Sequence, residues 1–227
     1  MVKFEKSLPR NINKTIVVAG RDGAMLTISS KIIPLGVDTN SFYPSIAKKN
    51  QIIFSGNMSY EPNVQAVVWF VENCFDKIKL TVKDVIFIIA GRDPVSEIKN
   101  LESDSIIVTG YVDSITELIS ESLVAIAPMV SGSGMQIKLL EAMSCGIPIV
   151  STSYGVGDVK VSHMKEVLIA DSALDFSNQV INVLLNPKRY NEIALNGREF
   201  VVDKHSWDSH ANSLIKVYTS ILGSNIK

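Results

Sequence analysis

The hydrophobic residues of this chain fall into short, nearly continuous runs rather than into strictly alternating ones. Strands that are covered on both faces, as in a parallel sheet, have this pattern. We therefore predict buried parallel strands at the runs rich in β-branched residues, which are TIVVA (15–19), IIFS (52–55), VIFIIA (85–90), SIIVT (105–109), LVAIAP (123–128), IPIVST (147–152) and EVLIA (166–170).

Helical spacing, with apolar residues three and four positions apart, occupies several of the intervening segments. It covers 62–80, 113–120 and 135–144, and beyond residue 172 it continues in three stretches at about 173–185, 187–203 and 207–222. Pro187 suits a first helical turn, and Ser206 is expected to cap the last helix. Strands and helices in this order predict an α/β fold, a Rossmann-like doubly wound parallel sheet with closing C-terminal helices.

The first 45 residues have a different pattern. They contain one predicted strand, a polar glycine-rich patch and the stretch KIIPLGVDTNSFYP, which Pro34, Gly36 and Pro44 interrupt. Such punctuation is typical of a connector rather than of a core segment. We place a domain boundary near residue 46, so that residues 46–227 form the main domain.

Composition narrows the class of protein. Of the 227 residues, 46% are hydrophobic and 20% are charged, which fits one large domain, or one domain plus a fragment of another. The net charge of −1 argues against nucleic-acid binding. Cys74 and Cys145 are isolated, and the histidines lack metal-ligand spacing, so we predict a cytoplasmic protein without a metal site. No run of 18 apolar residues predicts a membrane span, and the N-terminus does not resemble a secretory signal.

The stretch SGSGMQIKLLEAMSCGIPIV (131–150) contains the most informative chemistry. A glycine-rich turn between a strand and a helix suits a phosphate, because the first turn of the helix presents free N–H groups. Lys138 lies about one turn into this helix, and Glu141, three residues further, could accept hydrogen bonds from a ribose diol. A nucleotide is one interpretation; a tight turn followed by a surface ion pair is the other.

Two nucleotide motifs do not fit this stretch. The dinucleotide pattern G-x-G-x-x-G would need a third glycine where the chain has Ile137, and no P-loop sequence is present. Gly146 is interpreted as the left-handed residue after the helix, and Cys145 as a small buried hydrophobe.

Five stretches taken in order resemble the C-terminal, donor-binding domain of GT-B-fold retaining glycosyltransferases, the glycosyl transferases group 1 family. They are PLGVDTNSFYP (34–44), IIFSGNMSYEPNVQAVVWF (52–70), IIAGRDP (88–94), VTGYVDSITELISESLVAIAP (108–128) and GSGMQIKLLEAMSCGIPIVST (132–152). The C-terminal tail also resembles the family's closing helices. The likeness extends from residue 34 to about 222.

The resemblance implies a role for each candidate site residue. Glu141 would bind the nucleotide ribose, Lys138 would lie near the diphosphate, and Ser133 occupies the position of a glutamate that contacts the donor sugar in the family. The remaining candidates are the backbone around Gly134, Met135 and Gln136 for the sugar or β-phosphate, Gly56 and Asn57 for the facing phosphate loop, Arg92 for the diphosphate or base, and Gly110, Tyr111 and Val112 for the base.

This sequence departs from the family pattern at two places. Ser133 in place of a glutamate leaves the donor sugar open. The family often has an Arg and a Lys shortly after the first glycine turn, whereas the turn SGNMSYEPN has no cation, so Lys138, with Arg92, would have to supply the positive charge.

The resemblance further implies retaining transfer from a nucleoside diphosphate sugar, without a metal or another cofactor. The acceptor could be a sugar, a lipid-linked glycan or a small molecule, and a membrane-peripheral location stays open. Residues 1–45 would be a remnant of an N-terminal domain with its linker, and the active site would need that domain in cis or in trans. Without it, the exposed interdomain face predicts self-association or poor solubility.

Other functions stay open at this point. The chain could be a non-catalytic nucleotide-sugar-binding subunit of a two-chain assembly, a GT-B-type sugar-nucleotide epimerase, or an interaction domain that binds no nucleotide. A phosphorylase would need a lysine site for pyridoxal phosphate, for which the sequence gives no support.

Overall fold

The computed structural model describes residues 14–20, 30–132 and 136–224, and these form two parallel sheets. The smaller sheet pairs β1 (Thr15–Val17) with β2 (Ser30–Ile32). The larger sheet has six strands in the order β5-β4-β3-β6-β7-β8. Its strands are β3 (Lys49–Ser55), β4 (Ile86–Ala90), β5 (Ile106–Gly110), β6 (Ser122–Ala127), β7 (Ile149–Ser151) and β8 (Leu168–Ile169).

Helices connect successive strands and close the chain. They are α1 (Glu61–Phe70), which continues through a π-helical segment (Val71–Phe75) into α2 (Asp76–Thr81), then α3 (Ser96–Lys99), α4 (Ile115–Glu121), α5 (Ile137–Ser144), α6 (Ser153–Val156), α7 (Ala173–Leu185), a 3₁₀ turn (Pro187–Tyr190), α8 (Asn191–His205) and α9 (Trp207–Ser224). None of the helices in the described ranges is long and apolar enough to cross a membrane.

Apolar side chains cover both faces of the larger sheet. Phe54 packs into the layer that includes Phe70 of α1, whereas its neighbour Ile53 packs into the layer that includes Leu139 of α5. Successive residues of a strand point to opposite faces, so a continuous apolar run such as IIFS supplies two cores at once. Aromatic rings stabilise the first layer, where the centre of the Phe70 ring lies 4.9 Å from that of Phe87.

The predicted fold class is confirmed. Each of the seven predicted runs overlaps a strand, although in the last run the strand is only Leu168–Ile169. The prediction of burial was wrong for the first run, since β1 belongs to the smaller sheet and its residues are partly exposed. The Ser209 amide donates to the Ser206 hydroxyl oxygen over 3.2 Å at the start of α9, as predicted for a cap, and Gly146 follows α5 with φ of +60°. The structure begins α5 at Ile137, and the predicted start at Met135 lies outside the described residues.

The connector prediction was partly wrong. A second strand, β2, includes its first two residues, Lys31 and Ile32, and further along Ile33 and Val37 are buried rather than peripheral. The amide of Val37 donates to the carbonyl of His205 over 2.7 Å, so the connector continues the hydrogen bonding at the end of α8. The proline and glycine positions could not predict this pairing, because the partner, His205, lies far away in sequence. The boundary near residue 46 stays a prediction.

Three glycine turns pack backbone against backbone where β3, β4 and β5 end. The amide of Gly56 donates to the carbonyl of Ala90 over 3.0 Å, and the amide of Gly91 donates to the carbonyl of Gly110 over 3.3 Å. A Cβ atom at Gly91 would lie 1.7 Å from the Gly56 carbonyl oxygen. Only glycine therefore allows these turns to approach so closely.

Replacing Gly91 with alanine should destabilise the protein by about 3–4 kcal/mol, because the new methyl group displaces the Gly56 backbone. Gly110→Ala is the matched control, since a Cβ there meets nothing within 4 Å and only the left-handed φ of +63° is unfavourable; we expect about 1 kcal/mol for it. Urea unfolding measures both. Equal losses of stability would contradict the close approach.

Candidate functional site

The strand order places a crevice between β3 and β6. The chain proceeds from β3 to β4 and β5 on one side and then returns to place β6 on the other side of β3. The helices that follow these two strands, α1 and α5, belong to opposite layers. In open parallel sheets a ligand site forms at such a reversal of strand order, beyond the carboxyl ends of the strands.

Lys138 of α5 extends into this crevice. Its ammonium donates to the side-chain oxygen of Asn63 in α1 and contacts the sulfur of Met129 over 3.7 Å. The same nitrogen lies 4.3 Å from the centre of the Phe54 ring, a cation–π contact. Lys138 therefore touches groups from β3, from α1 and from the segment after β6.

Burial changes the protonation of both charged groups of α5. Removal from water lowers the pKa of Lys138 from 10.5 to about 7, and the nearby Glu141 carboxylate only partly opposes the decrease. Burial likewise raises the pKa of Glu141, with Lys138 opposing the increase. Near neutral pH the ammonium is thus close to its titration point, and a bound anion would favour its charged form.

The segment between β6 and α5 is held by side chains from other elements. The hydroxyl of Thr152 donates to the carbonyl of Met129 over 2.6 Å, and the hydroxyl of Tyr154 donates to the carbonyl of Gly132. Ser131 donates to the side-chain oxygen of Gln65. These bonds fix the start of the glycine-rich turn.

The predicted turn residues lie only partly within the described chain. Ser133, Gly134 and Met135 lie outside the described residues. Gln136 immediately precedes α5, is partly exposed, and accepts a hydrogen bond from the amide of Leu139 over 3.0 Å.

Gly56 and Asn57 lie on the other side of the crevice, close to Lys138. The side-chain oxygen of Asn57 accepts hydrogen bonds from the amide and the hydroxyl of Ser59 over 2.9 and 2.8 Å. The backbone carbonyl of Asn57 accepts from the Asn63 side chain over 2.8 Å. A Cβ at Gly56 would lie 3.5 Å from Cε of Lys138. The structure thus brings Lys138, Gly56 and Asn57 together.

The remaining candidates follow β4 and β5. Arg92 is 69% exposed and forms a surface ion pair with Asp93 over 3.7 Å. Gly110 ends β5, and Tyr111, which follows it, is 75% exposed, whereas Val112 is partly buried. Gly110, Tyr111 and Val112 thus lie at the end of the edge strand β5, two strands from β3. The backbone of Arg92 lies closer, because its carbonyl accepts from the amide of Met58 over 2.9 Å, directly after the turn that contains Gly56 and Asn57.

Sequence reasoning missed the side chains that surround the ammonium. Asn63, Phe54 and Met129 are all buried; Asn63 and Phe54 lie in a predicted helix and a predicted strand, and Met129 lies in neither. Asn63 carried the only usable signal, since a polar residue occupies a position that the helical spacing assigns to the core. Its partner in α5 is 75 positions away and could not be inferred from spacing.

The titratable residues show no arrangement that suits a metal. In ranges 14–20, 30–132 and 136–224, no group of three or more His, Cys, Asp or Glu side chains could hold an ion. A groove of about 890 Å³ lies along α8 and α9 rather than at the crevice. The contacts of Lys138 with Asn63 and Phe54, and not the size of that groove, indicate the candidate site.

Comparison with known proteins gives a consistent assignment. The family model described as "Glycosyl transferases group 1" matches residues 49–186. An uncharacterized 44.6 kDa protein in the cps region of Klebsiella pneumoniae is 28% identical over 184 residues, which cover 77% of this chain and 45% of that protein. A GDP-mannose-dependent alpha-(1-6)-phosphatidylinositol monomannoside mannosyltransferase of Mycobacterium tuberculosis is 24% identical over 210 residues, covering 82% and 54%. The chain therefore spans about half the length of these curated relatives.

Solved structures share the fold. Sucrose-phosphate synthase from Thermosynechococcus elongatus superposes with a TM-score of 0.76 at 18% identity, over 98% of this chain and 62% of that chain. Anabaena Alr3699/HepE, solved in complex with UDP and glucose, gives 0.73 at 14% identity, over 90% and 62%. The sheet and its helices thus have the fold of glycosyltransferases.

Replacing Lys138 with methionine should stabilise the ligand-free protein at pH 6.5 by about 2–3 kcal/mol. Below pH 7 this lysine is charged in both the folded and the unfolded chain, so the whole penalty of burying the ammonium is present, at about 1.4 kcal/mol per unit of pKa decrease. Loss of the bond to Asn63 offsets part of the gain. As pH rises from about 7 to 10.5 the folded lysine becomes neutral first, so the gain should shrink.

Urea unfolding at pH 6.5 and 9.5 measures this difference. Lys77→Met is the control, because Lys77 donates to Asn178 at the surface. A Lys138→Met protein that is less stable than the wild type at pH 6.5 would contradict a buried, destabilising ammonium.

Proposed function

The chain belongs to the glycosyl transferases group 1 family, and we propose that it forms the nucleotide-sugar donor-binding domain of a retaining glycosyltransferase. The observation that carries this proposal is the Lys138 ammonium, which lies partly buried at the reversal of strand order beside the turn that contains Gly56 and Asn57. An ammonium that has lost part of its water at the mouth of a parallel sheet favours a bound anion, and a diphosphate fits that requirement.

The nature of the donor is supported by chemistry and by the relatives. Glu141 lies one turn beyond Lys138 on α5 and interacts with it electrostatically, so one helix presents a cation for a diphosphate and a carboxylate for a ribose diol. One curated relative is named as GDP-mannose-dependent, and one structural neighbour was solved with UDP and glucose. We propose a nucleoside diphosphate sugar as the donor.

The proposed chemistry places negative charge on the leaving nucleoside diphosphate. Breaking the bond between the sugar and the β-phosphate leaves that charge next to Lys138 and to the amino end of α5, which stabilise it in a site already removed from water. Because these groups supply the positive charge, we propose that transfer needs no metal and no further cofactor. Retention of the anomeric configuration is proposed from the family.

The complete reaction is a proposal for an assembly larger than this chain. We propose that residues 1–45 contain the end of an N-terminal domain and the linker, and that such a domain, in cis or in trans, supplies the acceptor site and the catalytic residues. The acceptor would be a sugar, a lipid-linked glycan or a small molecule, and the relative named for a phosphatidylinositol mannoside favours a lipid-linked one at the membrane surface. Without that domain the interdomain face would be free for self-association.

Glu141→Gln should weaken nucleotide binding by about 10- to 150-fold, because a charge-assisted pair of hydrogen bonds to the ribose becomes a neutral one. Calorimetric titration with UDP, GDP, ADP and their sugar conjugates, without metal, measures the change and identifies the base. Glu199→Gln, an exposed glutamate on α8, is the matched control. Unchanged affinity in the Glu141 variant would remove Glu141 from the site.

The affinity for the nucleoside diphosphate should fall about tenfold between pH 7.0 and 8.5. The pKa of Lys138 in the free protein is about 7, and a bound diphosphate raises it, so the ligand binds the protonated protein and affinity decreases as the lysine loses its proton. Lys138→Arg should remove this slope, since a guanidinium stays charged throughout. Titration at four pH values tests this; a flat profile in the wild type would show that Lys138 does not meet the ligand.

A further inference from the structure

Asn63 connects the two sides of the crevice. It lies in the first turn of α1 and is only 5% exposed. Its Nδ2 donates to the carbonyl of Asn57 over 2.8 Å, and its Oδ1 accepts from the ammonium of Lys138. One buried amide therefore joins the first glycine turn to the helix that begins after β6.

The chemistry of its two partners fixes the orientation of this amide. An ammonium can only donate and a carbonyl can only accept, so the amide oxygen must face Lys138 and the nitrogen must face Asn57. A Cβ at position 56 would lie 2.7 Å from the Asn63 nitrogen, so the absence of a side chain at Gly56 leaves the space that the amide occupies. The bridge is thus specified by three residues together.

The bridge answers a question raised by the sequence. The turn SGNMSYEPN has no lysine or arginine, although it faces the crevice where an anion would bind. Lys138, whose partly buried side chain approaches this turn, belongs to a different helix in a different layer. A long lysine side chain has many rotamers, and holding its ammonium at one point requires a fixed acceptor.

We propose that Asn63 is a positioning residue that holds the Lys138 ammonium against the Gly56–Asn57 turn, so that this turn obtains its positive charge from the opposite helix. The proposal rests on the proposed function, since the anion that meets this charge is the diphosphate of the donor. It also limits the ligand class, because a fixed ammonium beside a backbone turn favours a compact polyanion over a neutral sugar.

The surroundings of the ammonium make a clean test available. The groups that face it are Glu141 from its own helix, Asn63 from α1, Phe54 from β3 and Met129 from the segment after β6. Within this set Glu141 is the charged group, and the other three are neutral. Asn63→Asp therefore introduces a charge at the point of contact without a change in size, and it also replaces the donor to the Asn57 carbonyl with an acceptor.

The test uses the whole 227-residue chain and first measures Lys138 without any ligand. Lysine labelled with ¹³C at Cε is titrated by NMR in the wild type, Asn63→Asp and Asn63→Leu, and the Lys138→Met spectrum assigns the signal. We expect Asn63→Asp to move the Lys138 midpoint upward by one to two pH units, because a carboxylate in contact favours the ammonium. We expect Asn63→Leu, which removes the acceptor, to move it downward.

The matched control exchanges another asparagine that accepts from a lysine. Asn178 accepts from Lys77 over 2.7 Å at the protein surface, so Asn178→Asp adds the same charge to a similar pair outside the crevice. It should leave both the Lys138 signal and nucleotide binding unchanged. UDP, GDP and ADP are then titrated into the same proteins at pH 7, where both Asn63 variants should bind at least tenfold more weakly than the wild type.

The two readouts separate this inference from the function on which it rests. If the Asn63 variants lose thermal stability while the Lys138 midpoint stays at its wild-type value, Asn63 has only a structural role and the inference is wrong. If the wild type binds nucleotide and the Asn63 variants bind equally well, the inference is also wrong. If no nucleotide binds the wild type although the Lys138 midpoint depends on Asn63, the contact is supported and the proposed function fails.

Discussion

The opposite placement of α1 and α5 is the constraint on which the site depends. It arises because β3 and β6 are neighbours in the sheet although β4 and β5 separate them in sequence, so the helices that follow the two strands turn to different faces. A crevice beyond the carboxyl ends of the strands is expected at such a reversal, and there Lys138 reaches from α5 to Asn63 of α1. Strands that are apolar on both faces make this arrangement stable, since Ile53 and Phe54 each pack into a different layer.

The crevice can hold a buried charge only because several weak contacts act together. The aromatic face of Phe54, the sulfur of Met129 and the amide of Asn63 replace part of the water that the Lys138 ammonium loses. They do not replace all of it, which is why the pKa of Lys138 falls to about 7. An incompletely solvated ammonium is destabilising for the empty protein and favourable for binding an anion, a compromise typical of functional sites.

Local patterns predicted most of the fold, but only some of the residues that the structure brings together around Lys138. Continuous apolar runs and helical spacing identify elements because they depend on neighbours in sequence, and the glycine turn before α5 directed attention to Lys138 and Glu141. The role of the connector at Val37 was not visible, since it depends on a hydrogen bond to His205 at the end of α8. Asn63 was missed for the same reason: its importance comes from a lysine 75 positions away and from its burial, and neither can be inferred from the residues around it.

The glycines show how fold and site share the same residues. Gly91 lets the turn after β4 contact the Gly56 carbonyl, and Gly56 in turn leaves the space in which the Asn63 amide bridges to Lys138. A side chain at either position would separate the turns at the carboxyl edge and would move the acceptor away from the ammonium. The close packing of these turns therefore stabilises the edge of the sheet and also sets the distance across which the positive charge is delivered. The glycine backbone therefore determines where the positive charge lies, and the side chains of Asn63 and Lys138 hold it there.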